Sequence, residues 1–241
     1  MGGTIIIYKS DDNNSNQRAV ILIPGGGYDH VVGDYEGADW VPLFKSLGYT
    51  TAVLRYTTPP KTPDGPLSEV IEAMKYLRNT SNGWNVDTGI VGVMGFSAGG
   101  HLASTAATHI KGDERPAFQV VFYPVITMDK NTTHSGSREN LLGLNPTQEL
   151  VDLYSNEKQV TAETPPAYVC WTDDDKEVQP INSISYVEAL KSKGVPVHAK
   201  NFKSGGHAYG FYKHFKYHDE MVEDFTQWLN NIDKILIEKT S

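Results

Sequence analysis

The residues from Gly95 to Gly99 read Gly-Phe-Ser-Ala-Gly, a pattern that can carry a nucleophilic serine. They directly follow a short apolar run, residues 89–94, and directly precede a helical pattern. This is the strand-turn-helix context that a nucleophile elbow requires. The serine of such a turn has a strained backbone, and the flanking glycines are needed because side chains there would collide with the adjacent strand and helix. We therefore expect Ser97 to present its hydroxyl group at the carboxyl edge of a sheet.

A serine nucleophile needs a histidine that accepts its proton and a carboxylate that orients the histidine. Sequences with this elbow have the order serine, acid, histidine, and His207 follows a predicted strand in a glycine-flanked loop. Aspartates 173–175 follow the preceding predicted strand. We assign the acid to Asp175 because Val178, three residues later, can anchor the loop while the carboxylate turns to His207. Asp174 remains the alternative.

A third element is the segment 24–28, Pro-Gly-Gly-Gly-Tyr, which directly follows another predicted strand and is called the glycine loop below. Glycines leave backbone N–H groups open to a ligand oxygen, as an oxyanion hole requires. We expect the N–H groups of Gly26, Gly27 and Ala98 to form that hole. A phosphate-binding loop is not favoured, since no Lys-Ser/Thr pair follows and the spacing is not Gly-x-Gly-x-x-Gly.

The remaining histidines and the cysteine give no sign of a cofactor. Cys170 is the single cysteine and cannot form an internal disulfide, and no Cys/His spacing resembles a zinc site. His214 and His218 are four residues apart, but no third ligand accompanies them, so we interpret them as a solvated face. His101 is expected to pack or cap near the elbow, because the base must approach Ser97 from another loop. We expect no metal and no other cofactor.

The elements that must position these residues alternate along the chain. Apolar runs rich in β-branched residues recur between helical patterns, which is typical of buried parallel strands joined by crossover helices. We predict strands at 19–23, 51–54, 89–94, 119–123, 167–171 and 197–201. We predict helices at 40–47, at 67–77 with Ser68 as the N-cap, at 98–108, 148–154 and 184–193, and one long amphipathic helix at 221–236.

This order of elements predicts an α/β fold, with a mostly parallel twisted sheet, helices on both faces and no separate lid domain. A chain of 241 residues is compatible with one domain, and we expect a single domain over 1–241. Residues 127–164 interrupt the alternation with polar sequence that contains Gly and Pro. We expect this excursion to be functional or to contain helices of its own.

Composition excludes several kinds of partner. With 21 Lys and Arg against 29 Asp and Glu, the net charge of −8 would repel a polyanion, so nucleic acid is not an expected partner. No apolar run approaches eighteen residues, so we expect no contact with a membrane. The apolar run at 5–8 is too short for the core of a signal peptide. We expect a cytoplasmic protein, or a secreted or periplasmic one if a leader has been removed.

The three motifs together resemble those of the carboxylesterase group of α/β-hydrolases, and within it bacterial acetyl xylan esterases and related sugar-ester hydrolases. The likeness runs from the glycine loop through Gly-Phe-Ser-Ala-Gly-Gly-His at 95–101 to Gly-Gly-His at 205–207, and residues 136–143 resemble a loop of that subgroup. The resemblance implies hydrolysis of short acyl esters, often acetyl groups on plant cell-wall sugars, by Ser97, Asp175 and His207 without a metal. Two departures exist. Pro24 stands where many relatives have His, and Gln179 stands where the family pattern has Pro.

The substrate expected on this resemblance is a small-molecule ester, foremost an acetylated sugar. Side chains that stack on a sugar ring or hydrogen-bond to it are aromatic or polar. Such residues near the motifs are Tyr28, Arg138, Asn140, Trp171 and Tyr209. Two alternatives remain open: a serine peptidase of the prolyl oligopeptidase type, which shares the fold and the order of the triad, and a catalytically silent receptor that binds a small ligand in the pocket.

Overall fold

The computed structural model of the protein describes residues 2–84, 86 and 89–240. Within them seven strands form one sheet, in the spatial order β1-β3-β2-β4-β5-β6-β7. β1 pairs antiparallel with β3, and every other pair is parallel. The strands are β1 Thr4–Tyr8, β2 Ala19–Ile23, β3 Thr50–Arg55, β4 Val91–Phe96, β5 Gln119–Phe122, β6 Ala167–Thr172 and β7 Val197–Phe202.

Helices cover both faces of this sheet. Apolar side chains of α2, α3 and α6 pack in one buried cluster, and those of α1, α7 and α8 pack in another. Residues of β2 alternate between the two clusters, with Ile21 in the first and Leu22 in the second, because successive side chains of a strand point to opposite faces. The helices are α1 Val41–Ser46, α2 Gly65–Arg78, α3 Ser97–His109, α4 Ser135–Leu142, α5 Gln148–Leu153, α6 Ile181–Ser192, α7 His218–Asn230 and α8 Ile232–Thr240.

The predicted α/β sheet is confirmed, and its six predicted strands are present with ends that differ by at most two residues. The seventh strand, β1, was not predicted. It is a partly exposed edge strand that pairs with β3, for example Ile6 opposite Val53. A run of four apolar residues has no periodicity that distinguishes a strand from other structures, so only the pairing with β3 defines it.

Two helix predictions were wrong in detail. Ser68 is not the N-cap of α2, because the helix begins at Gly65 with Pro66 in its first turn, and Asp64 precedes it. Proline fits the first turn since its missing N–H has no intrahelical acceptor there. The single C-terminal helix is two helices, α7 and α8, separated by Asn231. Asparagine disfavours a helix interior because its side chain competes for backbone hydrogen bonds.

The solvated face expected for two histidines is also corrected. His214 is exposed, but His218 begins α7 and is buried, with its ring 5.0 Å from that of Phe211 in an edge-on arrangement. His218 is buried because tertiary packing places the first turn of α7 against aromatic side chains such as Phe211.

The excursion at 127–164 contains helices of its own. The predicted short helix is α5, whereas α4 was not predicted, and the segment 136–143 expected as a loop is mostly helix. His134 caps α4, since its side chain accepts a hydrogen bond from the N–H of Ser137. Among the described residues no separate lid domain covers the sheet, and none of their helices is long and apolar enough to cross a membrane.

Candidate active site

The sharp turn between β4 and α3 carries Ser97. Its φ angle of +51° lies in the left-handed region, which a non-glycine residue rarely adopts. A Cβ atom on Gly95 would lie 2.1 Å from the carbonyl oxygen of Gly99, and one on Gly99 would lie 2.0 Å from that of Ile23. Both glycines are therefore required by close backbone approach, as the elbow pattern predicts.

Ser97, His207 and Asp175 form one hydrogen-bonded chain. Nε2 of His207 lies 2.9 Å from Oγ of Ser97, and Nδ1 of His207 lies 2.6 Å from Oδ2 of Asp175. The side chains of His207 and Asp175 are 7% and 1% exposed. With Nδ1–H donating a hydrogen bond to the carboxylate, Nε2 of the neutral imidazole is free to accept the serine proton.

The Asp-x-x-Val spacing orients the Asp175 carboxylate. Its Oδ1 accepts hydrogen bonds from the backbone N–H groups of Glu177 and Val178, each at 2.9 Å, which leaves Oδ2 for His207. Val178 itself is buried. The valine thus anchors the loop.

The two preceding aspartates have other partners. Oδ1 of Asp174 accepts the N–H of Gly206 at 2.8 Å, and this bond holds the pKa of the exposed Asp174 carboxyl below its usual value. Oδ1 of Asp173 accepts a hydrogen bond from the side chain of Asn201. The structure therefore brings Asp175, and not the alternative Asp174, to His207.

The glycine loop lies beside Ser97 at the same edge of the sheet. Gly26 has a φ of +119°, and a Cβ atom there would lie 2.1 Å from the carbonyl oxygen of His30. Gly26 and Gly27 line the cavity that Ser97 and His207 also line. Ala98 is the second residue of α3, where a backbone N–H has no intrahelical acceptor.

The cavity has a volume of about 380 Å³, and most of its lining residues have polar or charged side chains. Among its described lining residues Val32 is the sole branched aliphatic, and none is Lys or Arg. It is lined by Gly26, Gly27, Asp29, His30, Val32, Tyr35, Glu36, Ser97, His134, Gly136, Asn140, Glu177, His207 and Ala208. Such a wall suits a small polar ligand better than a long alkyl chain.

Of the five predicted substrate contacts, Asn140 lines the cavity, and its Nδ2 donates to the carbonyl oxygen of Gly27 at 2.9 Å. The other four do not line it. Tyr28, Trp171 and Tyr209 are buried in the two core clusters, and Nε of Arg138 donates to the carbonyl oxygen of Met128. Sequence proximity to a motif does not fix the direction of a side chain, which accounts for the difference.

Tyr28 and His101 belong to one buried polar chain behind the elbow. The Tyr28 hydroxyl lies 2.8 Å from Nδ1 of His101, and Nε2 of His101 donates to the carbonyl oxygen of Tyr154 at 2.8 Å. Burial lowers the pKa of His101 to about 4. His101 is therefore a neutral packing residue, as its position after the elbow suggests, and it does not contact Ser97 through a hydrogen bond.

A buried carboxylate that sequence analysis missed links the glycine loop to the histidine loop. Glu36 is 1% exposed, and its two oxygens accept the N–H of Gly25 at 2.7 Å and the hydroxyl of Tyr123 at 2.8 Å. The Tyr123 hydroxyl also accepts the N–H of Gly210 at 3.0 Å, and its ring lies edge-on to His207 at 4.8 Å. Burial raises the pKa of Glu36, while the nearby His207 opposes that shift.

His134 was missed as well. It lines the cavity from the N-terminus of α4, and no motif marked it because its place depends on how the excursion folds over the glycine loop. Among the residues that the structure describes, no group of three or more His, Cys, Asp or Glu side chains could hold a metal ion.

Comparison with known proteins places these features in a family. The family model described as BD-FAE matches residues 5–190. The chain belongs to the BD-FAE family. The α/β-hydrolase resemblance and the fold class inferred from the sequence are thereby confirmed.

Several individual proteins are similar to this BD-FAE chain. An acetylxylan esterase of Xylanibacter ruminicola is 35% identical over 226 residues, which cover 91% of this chain and 46% of the relative, so the chain spans about half the length of that protein. The acetyl ester-xyloside bifunctional hydrolase of Caldicellulosiruptor lactoaceticus has 32% identity and a TM-score of 0.87, covering 95% of this chain and 88% of its own. A sugar hydrolase, YeeB, from Lactococcus lactis has 26% identity and a TM-score of 0.81, and the match covers 97% of this chain and 96% of that protein's chain. The first two names agree with the class expected from the sequence, a carboxylic ester hydrolase.

Proposed function

We propose that this protein hydrolyses short acyl esters, foremost acetyl esters of xylan-derived sugars, by a serine mechanism. The observation that carries the proposal is the hydrogen-bonded chain from Ser97 through His207 to Asp175, which lies at a cavity beside the glycine loop. Relatives named acetylxylan esterase and acetyl ester-xyloside hydrolase support the choice of substrate class.

In the acylation step Oγ of Ser97 bonds to the ester carbonyl carbon while Nε2 of His207 accepts the hydroxyl proton. The carbonyl oxygen becomes an oxyanion that accepts hydrogen bonds from the N–H groups of Gly26, Gly27 and Ala98. Each such donor typically accelerates turnover by about 10²–10³-fold. Asp175 accepts a hydrogen bond from Nδ1–H of His207 throughout, which stabilises the imidazolium ion.

Collapse of this intermediate breaks the bond between the carbonyl carbon and the alcohol oxygen, and the imidazolium ion of His207 gives its proton to that oxygen. The alcohol leaves and the acyl group stays on Ser97. A water molecule then attacks the acyl carbon and passes a proton to His207. The second intermediate releases the carboxylic acid, and Ser97 regains its proton.

The cavity supports a small acyl group. A methylene group gains about 0.8 kcal/mol when it is buried against apolar surface, but Val32 is the one branched aliphatic side chain among the described lining residues. A longer acyl chain therefore has one branched aliphatic side chain to pack against among these residues. We expect kcat/KM to fall from acetyl to butyryl to octanoyl esters.

A panel of 4-nitrophenyl esters and acetylated xylo-oligosaccharides tests the proposal, with Ser97→Ala as the matched control. Wild-type protein should release acetate from both kinds of substrate. Ser97→Ala should fold and retain only the roughly 10³–10⁴-fold acceleration over water that binding and the oxyanion hole provide. Unchanged turnover in folded Ser97→Ala would refute the serine mechanism, and a profile that rises toward octanoyl would refute the short-acyl specificity.

A further inference from the structure

His134 occupies a position beside the glycine loop that the mechanism above does not use. A Cβ atom on Gly27 would lie 3.6 Å from Cε1 of His134, so the imidazole stands on the side of Gly27 that a side chain would occupy. Asn140, on the same helix α4, donates to the carbonyl oxygen of Gly27. The cap and the first turns of α4 therefore pack against one of the expected oxyanion donors.

Capping of α4 fixes the tautomer of His134. Nδ1 accepts the backbone N–H of Ser137 at 3.2 Å and lies 2.8 Å from the Ser137 hydroxyl oxygen. An imidazole nitrogen that accepts a hydrogen bond carries no proton, so the proton of the neutral ring is on Nε2. Desolvation lowers the pKa of His134, which favours this neutral form. The cap thus turns Nε2 into an uncharged N–H donor of fixed orientation.

Nε2–H of His134 is available to a ligand in the cavity. The His134 ring lines the cavity, and among the hydrogen bonds of the described residues none uses its Nε2. The same wall carries acceptors, namely the carboxylate of Glu177 and the side-chain oxygen of Asn140, whose Nδ2 is already engaged. An uncharged donor beside acceptors matches a hydroxyl group, which both accepts and donates.

We infer that Nε2 of His134 donates a hydrogen bond to a free hydroxyl group on the carbon next to the acylated carbon, and that the protein thereby selects monoacetylated polyols. This inference rests on the proposed esterase function. An ester whose carbonyl oxygen accepts from the amides of Gly26 and Gly27 lies beside the ring of His134, because that ring lines the same cavity and faces Gly27. The neighbouring hydroxyl is then the group within reach.

A matched pair of substrates measures this contact. The first is a methyl xyloside with one acetyl group and a free neighbouring hydroxyl, and the second is the analogue in which hydrogen replaces that hydroxyl. A hydrogen bond of ordinary net strength corresponds to about a three- to tenfold difference in kcat/KM. Wild-type protein should prefer the first substrate by that factor.

Substitution His134→Asn keeps the cap, because asparagine is among the best N-cap residues. With its oxygen on the N–H of Ser137, its amide nitrogen takes the place of Cδ2 of the imidazole, so no donor remains at the position of Nε2. In this variant the ratio of the two kcat/KM values should fall to about one. His214→Asn is the matched control, since His214 is exposed and does not line the cavity. Its substrate ratio should equal that of the wild-type protein. Circular dichroism and thermal unfolding report whether each variant is folded.

Equal kcat/KM for the two substrates on wild-type protein overturns the inference without any variant, even if His134→Asn fails to fold. A preference that persists in folded His134→Asn also overturns it. In both cases hydrolysis of 4-nitrophenyl acetate that depends on Ser97 leaves the proposed function standing. Absence of that hydrolysis in the wild-type protein refutes the proposed function, and the inference with it.

Discussion

Substitution Asp175→Asn tests how the structure orients His207. Oδ1 of Asp175 accepts two backbone N–H groups, from Glu177 and Val178, so an asparagine here keeps its oxygen on those two donors. Its NH₂ group then faces Nδ1 of His207, where Oδ2 of the carboxylate lies 2.6 Å away. The imidazole must accept at Nδ1 and carry its proton on Nε2, which can no longer accept the proton of Ser97.

The expected loss follows from that wrong tautomer. A carboxylate-to-amide change in a serine triad lowers turnover by about 10⁴-fold. This corresponds to about 5 kcal/mol of transition-state stabilisation, at about 1.36 kcal/mol for each factor of ten. Asp175→Asn should remain folded, because the two backbone hydrogen bonds that shape the loop are kept.

The assay is kcat for 4-nitrophenyl acetate, with the burst of 4-nitrophenol counting the active sites. Asp174→Asn is the matched control, since its amide oxygen can still accept the N–H of Gly206. It should lose less than about tenfold. A severe loss in Asp174→Asn together with a mild one in Asp175→Asn would show that the orientation argument is wrong.

Three further predictions concern the surroundings of the triad. Gly26→Ala should lower kcat for 4-nitrophenyl acetate by at least about 10²-fold. The φ of +119° and a Cβ atom 2.1 Å from the carbonyl oxygen of His30 would force the glycine loop to move. A near-normal kcat would refute the role of Gly26 as an oxyanion donor. Glu36→Ala leaves the N–H of Gly25 and the hydroxyl of Tyr123 without their acceptor, so the free energy of unfolding should fall by about 2–6 kcal/mol in urea denaturation. An unchanged value would show that these two hydrogen bonds do not stabilise the fold. Burial lowers the pKa of His101 from 6.5 to about 4, so between these pH values an unfolded chain binds a proton that the native protein does not. The free energy of unfolding should therefore fall by about 3 kcal/mol from this residue as the pH decreases from about 6.5 to about 4, and His101→Gln should remove that part of the slope in urea denaturation measured across this range.

The local sequence was sufficient to predict those parts of the site whose geometry is set by contacts among a few neighbouring residues. The elbow around Ser97 tolerates only glycine at positions 95 and 99 because a Cβ atom there would meet backbone about 2 Å away, and this requirement is visible in the sequence. Asp175 could be preferred over Asp174 for a similar reason, since a carboxylate can accept the N–H groups two and three residues ahead of it.

Residues that act across the fold gave no local signal. Glu36 joins the glycine loop to Tyr123 at the end of β5, a separation of 87 residues, and nothing near residue 36 indicates that its carboxylate is buried. His134 reaches the cavity only because the excursion folds into α4 beside Gly27. Both depend on which segments the sheet brings together.

The sequence by itself determined the order of the catalytic motifs along the chain. A serine elbow comes first, then an acid loop and then a histidine loop, and each follows an apolar run of β-branched residues. It did so because periodicity and tight turns are set by neighbouring residues. Tertiary structure decided the direction of side chains, and so it buried Tyr28, Trp171 and Tyr209 in the core while leaving Asn140 at the cavity. The physical reason is that a side chain's exposure depends on what packs against it, and in a parallel sheet those partners come from distant parts of the chain.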